Sequence, residues 1–258
     1  MILTTDNGTP FYRFENLAAC ADIGHGIFTR NAGCSPPPFN SLNVGHGIGD
    51  DDSRVETNRR TIGRCFRGAE LVYARQVHGR QVIILADYPG GQGATPHPAA
   101  PVVGDAIVTD QRQKYLVIQV ADCQSVLLYE PVRQAVANLH CGWRGSVQNI
   151  IGRTVETMVL HFDCSPANII AGIGPSLGPC CAEFINYKAE IPPALWGYKD
   201  STDHFDFWSI SRDQMVQAGV APENIESSRI CTRCRADEFF SYRSEKTTGR
   251  FAAVIGLR

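Results

Sequence analysis

The sequence has 258 residues, of which 43% are hydrophobic and 19% charged, and its formal net charge is -2 at pH 7. This balance predicts a globular protein with a substantial core and gives no support for a general binder of nucleic acids or of anionic membranes. No apolar run is long enough to span a bilayer, and the opening residues MILTTDNGTPFYRF lack the features of a secretory signal, so we expect a cytoplasmic protein.

The predicted elements alternate between strands and helices. A turn-rich stretch, NAGCSPPPFNSLNVGHGIGDDD, precedes a helix that is predicted to begin near Ser53. Short apolar runs predict the strands LVYARQV, QVIILA, DAIVT, YLVIQVA, QSVLLYE, AVANLH and NIIAGIG. Residues 87–103, dense in glycine and proline, predict a long surface loop. The segment SVQNIIGRTVETMVLHF has helical spacing of apolar residues, with Ser146 at the N-cap position. The pattern favours an α/β or α+β fold with a mixed sheet.

Three possible metal ligands each come at the end of a predicted strand. His78 follows LVYARQV, Cys123 is the last residue of YLVIQVADC and His140 is the last residue of AVANLH. Neighbouring strands of one sheet would bring such ends close together, and active sites gather at strand ends. Convergence would create a zinc site with three protein ligands and an open position, which is the catalytic arrangement.

The same three side chains leave other chemistry open. Two histidines and a cysteine also form the trigonal part of a blue-copper site, which usually has a weak axial methionine. Met158 and Met215 are the methionines beyond Met1, and Met158 belongs to the predicted helix core. Alternatively, Cys123 could act as a nucleophile with a histidine as its base.

Ordered motifs along most of the chain resemble one known family. These are FTRNAGCSPPPFNSLNVGHGIGDD, ARQVHG, GDAIVTD, VADCQSVLLYE, HCGWRG, GIGPSLGPCCAEF and CTRCRADEFFSYRSEKTTGRFAAVIGL. They resemble the laccase-domain, or YfiH-like, family, which is also described as multifunctional purine nucleoside phosphorylases and as polyphenol oxidases. The resemblance implies one domain over residues 1–258 that folds as a four-layer α/β/β/α sandwich with mixed sheets.

The resemblance also implies a zinc ion bound by His78, Cys123 and His140, with Gly142 and Gly145 shaping the turn beside the last ligand. Cys141 stands where an alanine is more typical of the family, and we interpret it as buried packing. The implied activity is phosphorolysis of adenosine, inosine and methylthioadenosine, with deamination of adenosine in the same site. The expected partners are therefore a purine nucleoside and phosphate, and we expect a monomer.

Each of these reactions needs further groups beside the metal. Phosphorolysis needs an anion site, for which Ser41 and Asn43 could supply hydrogen-bond donors and Arg75 or Arg144 positive charge. Deamination needs a carboxylate that is not a ligand. Glu183 is the first candidate, and Asp122 and Asp105 are others. Asp105 and Asp122 could instead orient ligands or cap turns.

The ten cysteines include one CxxC pair, Cys231 and Cys234, and one adjacent pair, Cys180 and Cys181. A structural zinc site normally needs two CxxC pairs, so we expect most of these cysteines to be small buried residues. We interpret Cys231 and Cys234 as a structural pair, with metal binding or a disulfide left open.

Three alternative functions remain from the sequence. A copper polyphenol oxidase would need a second, histidine-rich cluster, and the chain has 7 histidines in all. Oxidase activity could also arise from copper in the zinc site, because copper outcompetes zinc for such ligands. A cysteine hydrolase that edits peptidoglycan precursors would use Cys123 as nucleophile, and a metal-stabilised binding protein would show no turnover.

Overall fold

The structure is a computed structural model that describes residues 1–67, 69–85 and 102–258. Its strands are β1 (Ile2–Asp6), β2 (Thr9–Arg13), β3 (Ile23–Phe28), β4 (Glu70–Tyr73), β5 (Val82–Leu85), β6 (Ala106–Thr109), β7 (Lys114–Val120), β8 (Gln124–Glu130), β9 (Ala135–Cys141), β10 (Ile170–Ile173), β11 (Ile225–Ser227) and β12 (Phe251–Leu257). Its helices are α1 (Glu15–Ala18), α2 (Asp52–Arg64), α3 (Trp143–Val147), α4 (Ile150–Phe162), α5 (Tyr187–Glu190), α6 (Phe207–Gln217) and α7 (Tyr242–Glu245).

The strands form two mixed sheets of six strands each. The first sheet has the order β1-β2-β3-β12-β7-β4 and is antiparallel except between β4 and β7. The second has the order β11-β10-β8-β9-β6-β5, with parallel pairs at both edges and antiparallel pairs between them. Strands β7 and β8 follow each other in the chain but belong to different sheets, so residues 121–123 cross from one sheet to the other.

Three buried apolar clusters show that the sheets and helices form four layers. Ile118 of the first sheet and Leu127 of the second share one buried cluster, which lies between the sheets. Val117 packs on the other side of the first sheet with Ile62 of α2. Strands β8 and β9 are buried along their whole length because α4 and α6 cover the outer face of the second sheet. The predicted α/β/β/α sandwich with mixed sheets is confirmed.

Most of the predicted elements are confirmed, with one correction in the helix after the HCGWRG motif. The helix near Ser53 is α2, and each of the seven predicted strands overlaps an observed strand. Ser146, however, is a buried residue within the short helix α3, and α4 has Asn149 as its N-cap, whose side chain accepts from the Gly152 amide. The reason is that Asn149 adopts a left-handed conformation, with φ of 52°, which separates the two helices. Of the predicted surface loop, residues 87–101 lie outside the described residues.

The cysteines are less buried than we expected from the sequence. Four of the ten are buried, three are half-buried and three are exposed. Cys141 is buried among the side chains of the second sheet and α4, as predicted. Within the described ranges, no helix is long and apolar enough to cross a membrane.

Candidate metal centre and cavity

The three predicted ligands converge. One donor atom of each of His78, Cys123 and His140 lies within 4.8 Å of the others. The expectation that neighbouring strands of one sheet would supply them is wrong. His78 follows β4 of the first sheet, His140 belongs to β9 of the second, and Cys123 lies on the crossing between the sheets. The reason is the β7–β8 connection, which changes sheets at this point and brings both sheets to one site.

The carboxylate of Asp105 organises this donor group. It is fully buried at the start of β6, and its Oδ1 bonds to Nδ1 of His140 at 2.9 Å. The same carboxylate accepts the backbone amides of Val77, His78 and Gly79 at 2.7 to 3.1 Å. Because Nδ1 of His140 is occupied, Nε2 is the nitrogen available to a metal, and a carboxylate behind a ligating histidine is the usual supporting arrangement.

Electrostatics favour a thiolate at Cys123. Burial would raise the pKa of this thiol, but the charge and hydrogen bonds of His140 and His78 outweigh burial and lower the pKa. Burial would likewise lower the pKa of His140, but Cys123 on one side and Asp105 on the other raise it. The site thus stabilises a cysteine thiolate, which is the form that binds metals or attacks carbon.

Small residues and an uncommon backbone conformation make room for the donors. A Cβ on Gly142 would lie 3.2 Å from both Cys123 Sγ and His78 Cδ2, and a Cβ on Gly145 would lie 3.3 Å from the Gly79 carbonyl oxygen. His78 has φ of 59° and Asp122, just before the cysteine, has φ of 84°. Left-handed backbone at such residues is costly and tends to occur at functional sites.

The donor group opens into a cavity of about 740 Å³. Aromatic and apolar side chains form much of its wall, namely Ile48, Tyr73, Trp143, Leu177, Phe184, Phe207 and Tyr242. Trp143 and Phe207 begin α3 and α6, and Phe184 lies 5.3 Å from Phe207 between ring centroids. A volume of this size with an apolar wall and a few polar groups is typical of sites for small organic ligands.

Positive charge is concentrated in the same wall. Arg75, Arg243 and Arg250 line the cavity, and none of them forms an ion pair with a carboxylate among the described residues. Arg250 is half-buried, and burial lowers its pKa while the charges of Cys123 and Asp122 oppose that change. Unpaired guanidinium groups around a cavity favour an anionic ligand.

Three of the predicted phosphate-binding residues do not line this cavity. Asn43 is fully buried, and its side chain bonds to Asp50 and to the backbone of Gly45 and Arg250. Ser41 donates to the Arg30 carbonyl. Their side chains are therefore committed to holding the backbone, and we assign neither a direct contact with phosphate.

Arg144 is the third predicted phosphate-binding residue that lies outside the cavity lining. It is exposed on α3, where its guanidinium lies 4.4 Å from the ring centroid of Trp143. Only Arg75, of the two predicted arginines, borders the cavity.

Two of the predicted carboxylates differ in the same way, while the third, Asp105, bonds to His140 and to the backbone beside His78. Glu183 is exposed, and it is its neighbours Ala182 and Phe184 that line the cavity. Asp122 does line it, and its two oxygens accept from the Thr232 hydroxyl and the Arg243 amide, each at 2.6 Å. We therefore do not assign proton transfer to Glu183, because it is exposed and does not line the cavity.

Sequence reasoning missed Arg243 and Arg250. Both belong to the closing motif that carried the family resemblance, in SYRSEKTTGR, but no apolar strand end marks them. The sequence feature that could have indicated them is a pair of arginines on either side of TTG, a turn that leads directly into the buried strand β12.

Comparison with known proteins agrees with this architecture. The sequence model of the family described as multi-copper polyphenol oxidoreductase laccase matches residues 24–258. The chain belongs to this family. The resemblance that the sequence motifs indicated is therefore confirmed.

Two relatives of this laccase family carry the name of a different activity. Purine nucleoside phosphorylase YlmD of Geobacillus stearothermophilus is 32% identical over 245 residues, which cover 90% of this chain and 89% of that protein. Purine nucleoside phosphorylase YfiH of Escherichia coli is 32% identical over 255 residues, covering 94% and 95%. The crystal structure of YlmD from Geobacillus stearothermophilus superposes with a TM-score of 0.85 at 31% identity and covers 100% of this chain and 99% of that one.

Proposed function

We propose that this protein is a zinc-dependent purine nucleoside phosphorylase that acts on adenosine, inosine and methylthioadenosine and also deaminates adenosine. The observation that carries the proposal is one cavity in which a His-Cys-His donor group, unpaired arginines and aromatic rings come together. The arginines suit a phosphate, and the rings suit a flat purine. The names of the two relatives support phosphorolysis of purine nucleosides.

Phosphorolysis requires phosphate to be held in line with the bond between ribose C1′ and the base. We assign the phosphate to Arg75, Arg243 and Arg250, because each lines the cavity and has no carboxylate partner among the described residues. Holding the nucleophile next to the sugar removes the entropic cost of bringing two substrates together. The same guanidinium groups stabilise the charge on the phosphate as the bond forms.

The apolar side of the cavity is the proposed nucleoside subsite. Phe184 and Phe207 form an aromatic pair in the wall, and Trp143 lies 6.1 Å from Phe184 between centroids. Burial of a purine against such rings contributes through removal of apolar surface from water and through stacking. These contacts exclude water from the sugar, which favours attack by phosphate over hydrolysis.

His78, Cys123 and His140 would hold the zinc ion. The fit rests on three donors that reach one point, on the Asp105 carboxylate behind His140 and on the space that Gly142 leaves beside Cys123. A zinc ion with these ligands would supply a positive charge and a bound water of lowered pKa at its open position.

We assign proton transfer during deamination to Asp122. It is the carboxylate that borders the cavity among the described residues, and it is adjacent in sequence to Cys123. The Thr232 hydroxyl and the Arg243 amide hold its oxygens in place. Asp122→Asn keeps the size of the side chain and one acceptor oxygen for the Arg243 amide, but it can no longer take up and release a proton. Deamination should therefore fall much more than phosphorolysis.

The ligand set argues against a multicopper oxidase. Among the described residues, two groups of three or more ligand-type side chains converge, and the second consists of cysteines alone. Met158 and Met215 are buried in the cluster beside the second sheet and do not line the cavity, so neither supplies an axial ligand. Oxidation of phenols would then depend on copper replacing zinc in the site.

A cysteine hydrolase is the second candidate, and one observation favours it. Cys123, His140 and Asp105 form a thiolate, an imidazole and a carboxylate in contact, which is the arrangement of cysteine nucleophiles. This candidate predicts that hydrolysis of an amide, such as a peptidoglycan precursor, survives removal of metal. It also predicts covalent labelling of Cys123 by an electrophilic substrate analogue.

The deciding experiment follows products and metal in one preparation. Purified protein is incubated with adenosine with and without phosphate, and bases, ribose 1-phosphate and inosine are quantified while metals are counted by mass spectrometry. Phosphate-dependent adenine release that is lost in Cys123→Ala, together with the loss of one zinc equivalent in the same variant, supports the proposal. Cys141→Ala is the matched control because it changes the buried cysteine beside His140 without changing a donor. Absence of purine products with full zinc occupancy would contradict the proposal.

A further inference from the structure

A second group of ligand-type side chains lies outside the proposed catalytic donors. The Sγ atoms of Cys180, Cys181, Cys231 and Cys234 all lie within 4.8 Å of one another. Cys180 and Cys181 follow a turn at Gly178, after β10. Cys231 and Cys234 are the first and last residues of the CTRC segment, after β11. The two turns come from distant parts of the sequence, so it is the fold that brings the four thiols together.

We propose that these four cysteines bind a structural zinc ion. Sγ of Cys234 lies 3.7 Å from Sγ of Cys180 and 3.7 Å from Sγ of Cys181. Zinc–sulfur bonds of about 2.3 Å in a tetrahedron place neighbouring sulfurs about 3.8 Å apart. Two sulfur–sulfur distances therefore already match a four-cysteine zinc site, and the other pairs lie within 4.8 Å.

The arrangement favours a metal over disulfides. Cys234 is equally close to two partners, whereas disulfides would join the sulfurs in exclusive pairs. The CTRC segment supplies two ligands separated by two residues, which is the usual half of a structural zinc site. The backbone amide of Gly178 donates to Cys231 Sγ at 3.3 Å, a contact that stabilises a thiolate ligand.

The site would join two segments that form one wall of the cavity. Ser176 is the β-bridge partner of Cys231, and its backbone hydrogen bonds go to Ile230 and Thr232. Its neighbour Leu177 lines the cavity, and the Leu177 amide donates to the Asp122 carbonyl. On the other side, the Cys181 carbonyl accepts from the guanidinium of Arg243 at 3.1 Å. A zinc ion here would fix the position of Arg243 and Asp122 without touching the substrate.

The test distinguishes the two metal sites by substituting a cysteine of each site in turn. Metals are counted by mass spectrometry in the wild-type protein and in the variants Cys123→Ala, Cys180→Ser and Cys234→Ser. We expect two zinc equivalents in the wild type and one in Cys123→Ala. Cys180→Ser and Cys234→Ser should each lose the zinc of the four-cysteine site and keep the zinc at Cys123. Cys34→Ser, an exposed cysteine outside both groups, is the control and should keep both.

A second measurement does not depend on variants of the four cysteines. In Cys123→Ala protein, cobalt bound in place of zinc should give the intense near-ultraviolet charge-transfer bands of a tetrathiolate, and titration with a mercurial should release one metal equivalent. A Cys123→Ala protein without metal would overturn the proposal. So would an intact mass reduced by two hydrogens per bond, which would show disulfides, or iron in place of zinc.

Discussion

The Asp105 carboxylate bonds to Nδ1 of His140 from the second sheet and also accepts the backbone amide of His78 from the first. One buried side chain therefore positions two of the three proposed ligands. Asp105→Asn keeps the volume but removes the charge and one acceptor. We expect metal affinity to fall about 10- to 100-fold, because loss of a carboxylate behind a ligating histidine has this effect.

The measurement for Asp105→Asn is competition with a chelating dye, accompanied by the melting temperature. Asp110→Asn, an exposed aspartate a few residues later on the same strand segment, is the control. Unchanged metal affinity in Asp105→Asn would show that the ligands are positioned by other contacts.

The thiolate character of Cys123 can be measured in metal-free protein. The contacts with His140 and His78 lower the pKa of this thiol to about 6 against the opposing effect of burial. Because the thiolate fraction rises with pH through the pKa, the rate of alkylation by iodoacetamide should rise between roughly pH 5 and pH 7 and then level off. Peptide mass spectrometry reports the modification at Cys123 alone. Asp105→Asn should move the midpoint upward, and a wild-type midpoint near that of an ordinary thiol would refute the thiolate assignment.

Gly142→Ala tests the space between the ligands. The backbone at Gly142 is extended, with φ of -75°, so alanine is tolerated there and the effect arises from the new methyl group alone. That methyl would lie 3.2 Å from both Cys123 Sγ and His78 Cδ2. Ligands need to be held within about 0.5 Å of their bound geometry, so we expect a metal affinity at least about tenfold lower with the fold retained. Gly197→Ala, which would contact nothing within 4 Å, should bind metal normally.

Arg250→Gln tests the phosphate subsite. The side chain borders the cavity, and among the described residues it donates to the carbonyls of Thr248 and Gly249, so its charge is not neutralised by them. We expect the KM for phosphate to rise about tenfold or more, since a charge-assisted contact is lost, while the KM for adenosine changes little. Steady-state kinetics with each substrate varied in turn gives both values. Arg60→Gln on the exposed face of α2 is the control, and equal changes in both KM values would count against a phosphate contact.

His25 should make the protein sensitive to acid. It is buried in β3, and its Nε2 accepts the Phe14 amide at 3.0 Å. Burial, followed by the charge of Arg13, lowers its pKa to about 3. A histidine with a lowered pKa contributes stability that is complete above its unfolded pKa and is lost as the pH falls below that value. We expect about 2 kcal/mol of unfolding free energy to be lost through this residue between pH 7 and pH 5.

Urea unfolding at the two pH values measures the loss, with His25→Gln as the variant that cannot titrate. The variant should lose about 2 kcal/mol less than the wild type on acidification. His204→Gln, a half-buried histidine, is the control. Parallel losses in wild type and His25→Gln would show that other groups cause the acid sensitivity.

The sequence predicted the central strands and the donor group because both are marked by local patterns. Strands β8 and β9 are largely apolar and wholly buried, since both faces of their sheet are covered, and the ligands lie near the ends of such runs. The sequence could not show that His78 and His140 belong to different sheets. That depends on the crossing at residues 121–123, which no local pattern encodes.

Side-chain direction and long-range pairing account for the remaining differences. Glu183 alternates with Ala182 and Phe184, and only the fold decides which of them faces the cavity. Asn43 and Ser41 have the donors expected of an anion site but use them on neighbouring backbone. The adjacent cysteines Cys180 and Cys181 do not have the spacing of a zinc motif, and they acquire a partner pair only when β10 and β11 lie side by side.

The crossing from β7 to β8 also has a thermodynamic consequence. Since the donors come from both sheets and from the segment between them, a metal ion bound by all three is a cross-link between the two halves of the sandwich. Its binding free energy therefore adds to the free energy that keeps one sheet packed on the other. Shearing of the sheets and release of the metal become a single coupled event, so metal availability in the cell would set how long the folded enzyme survives.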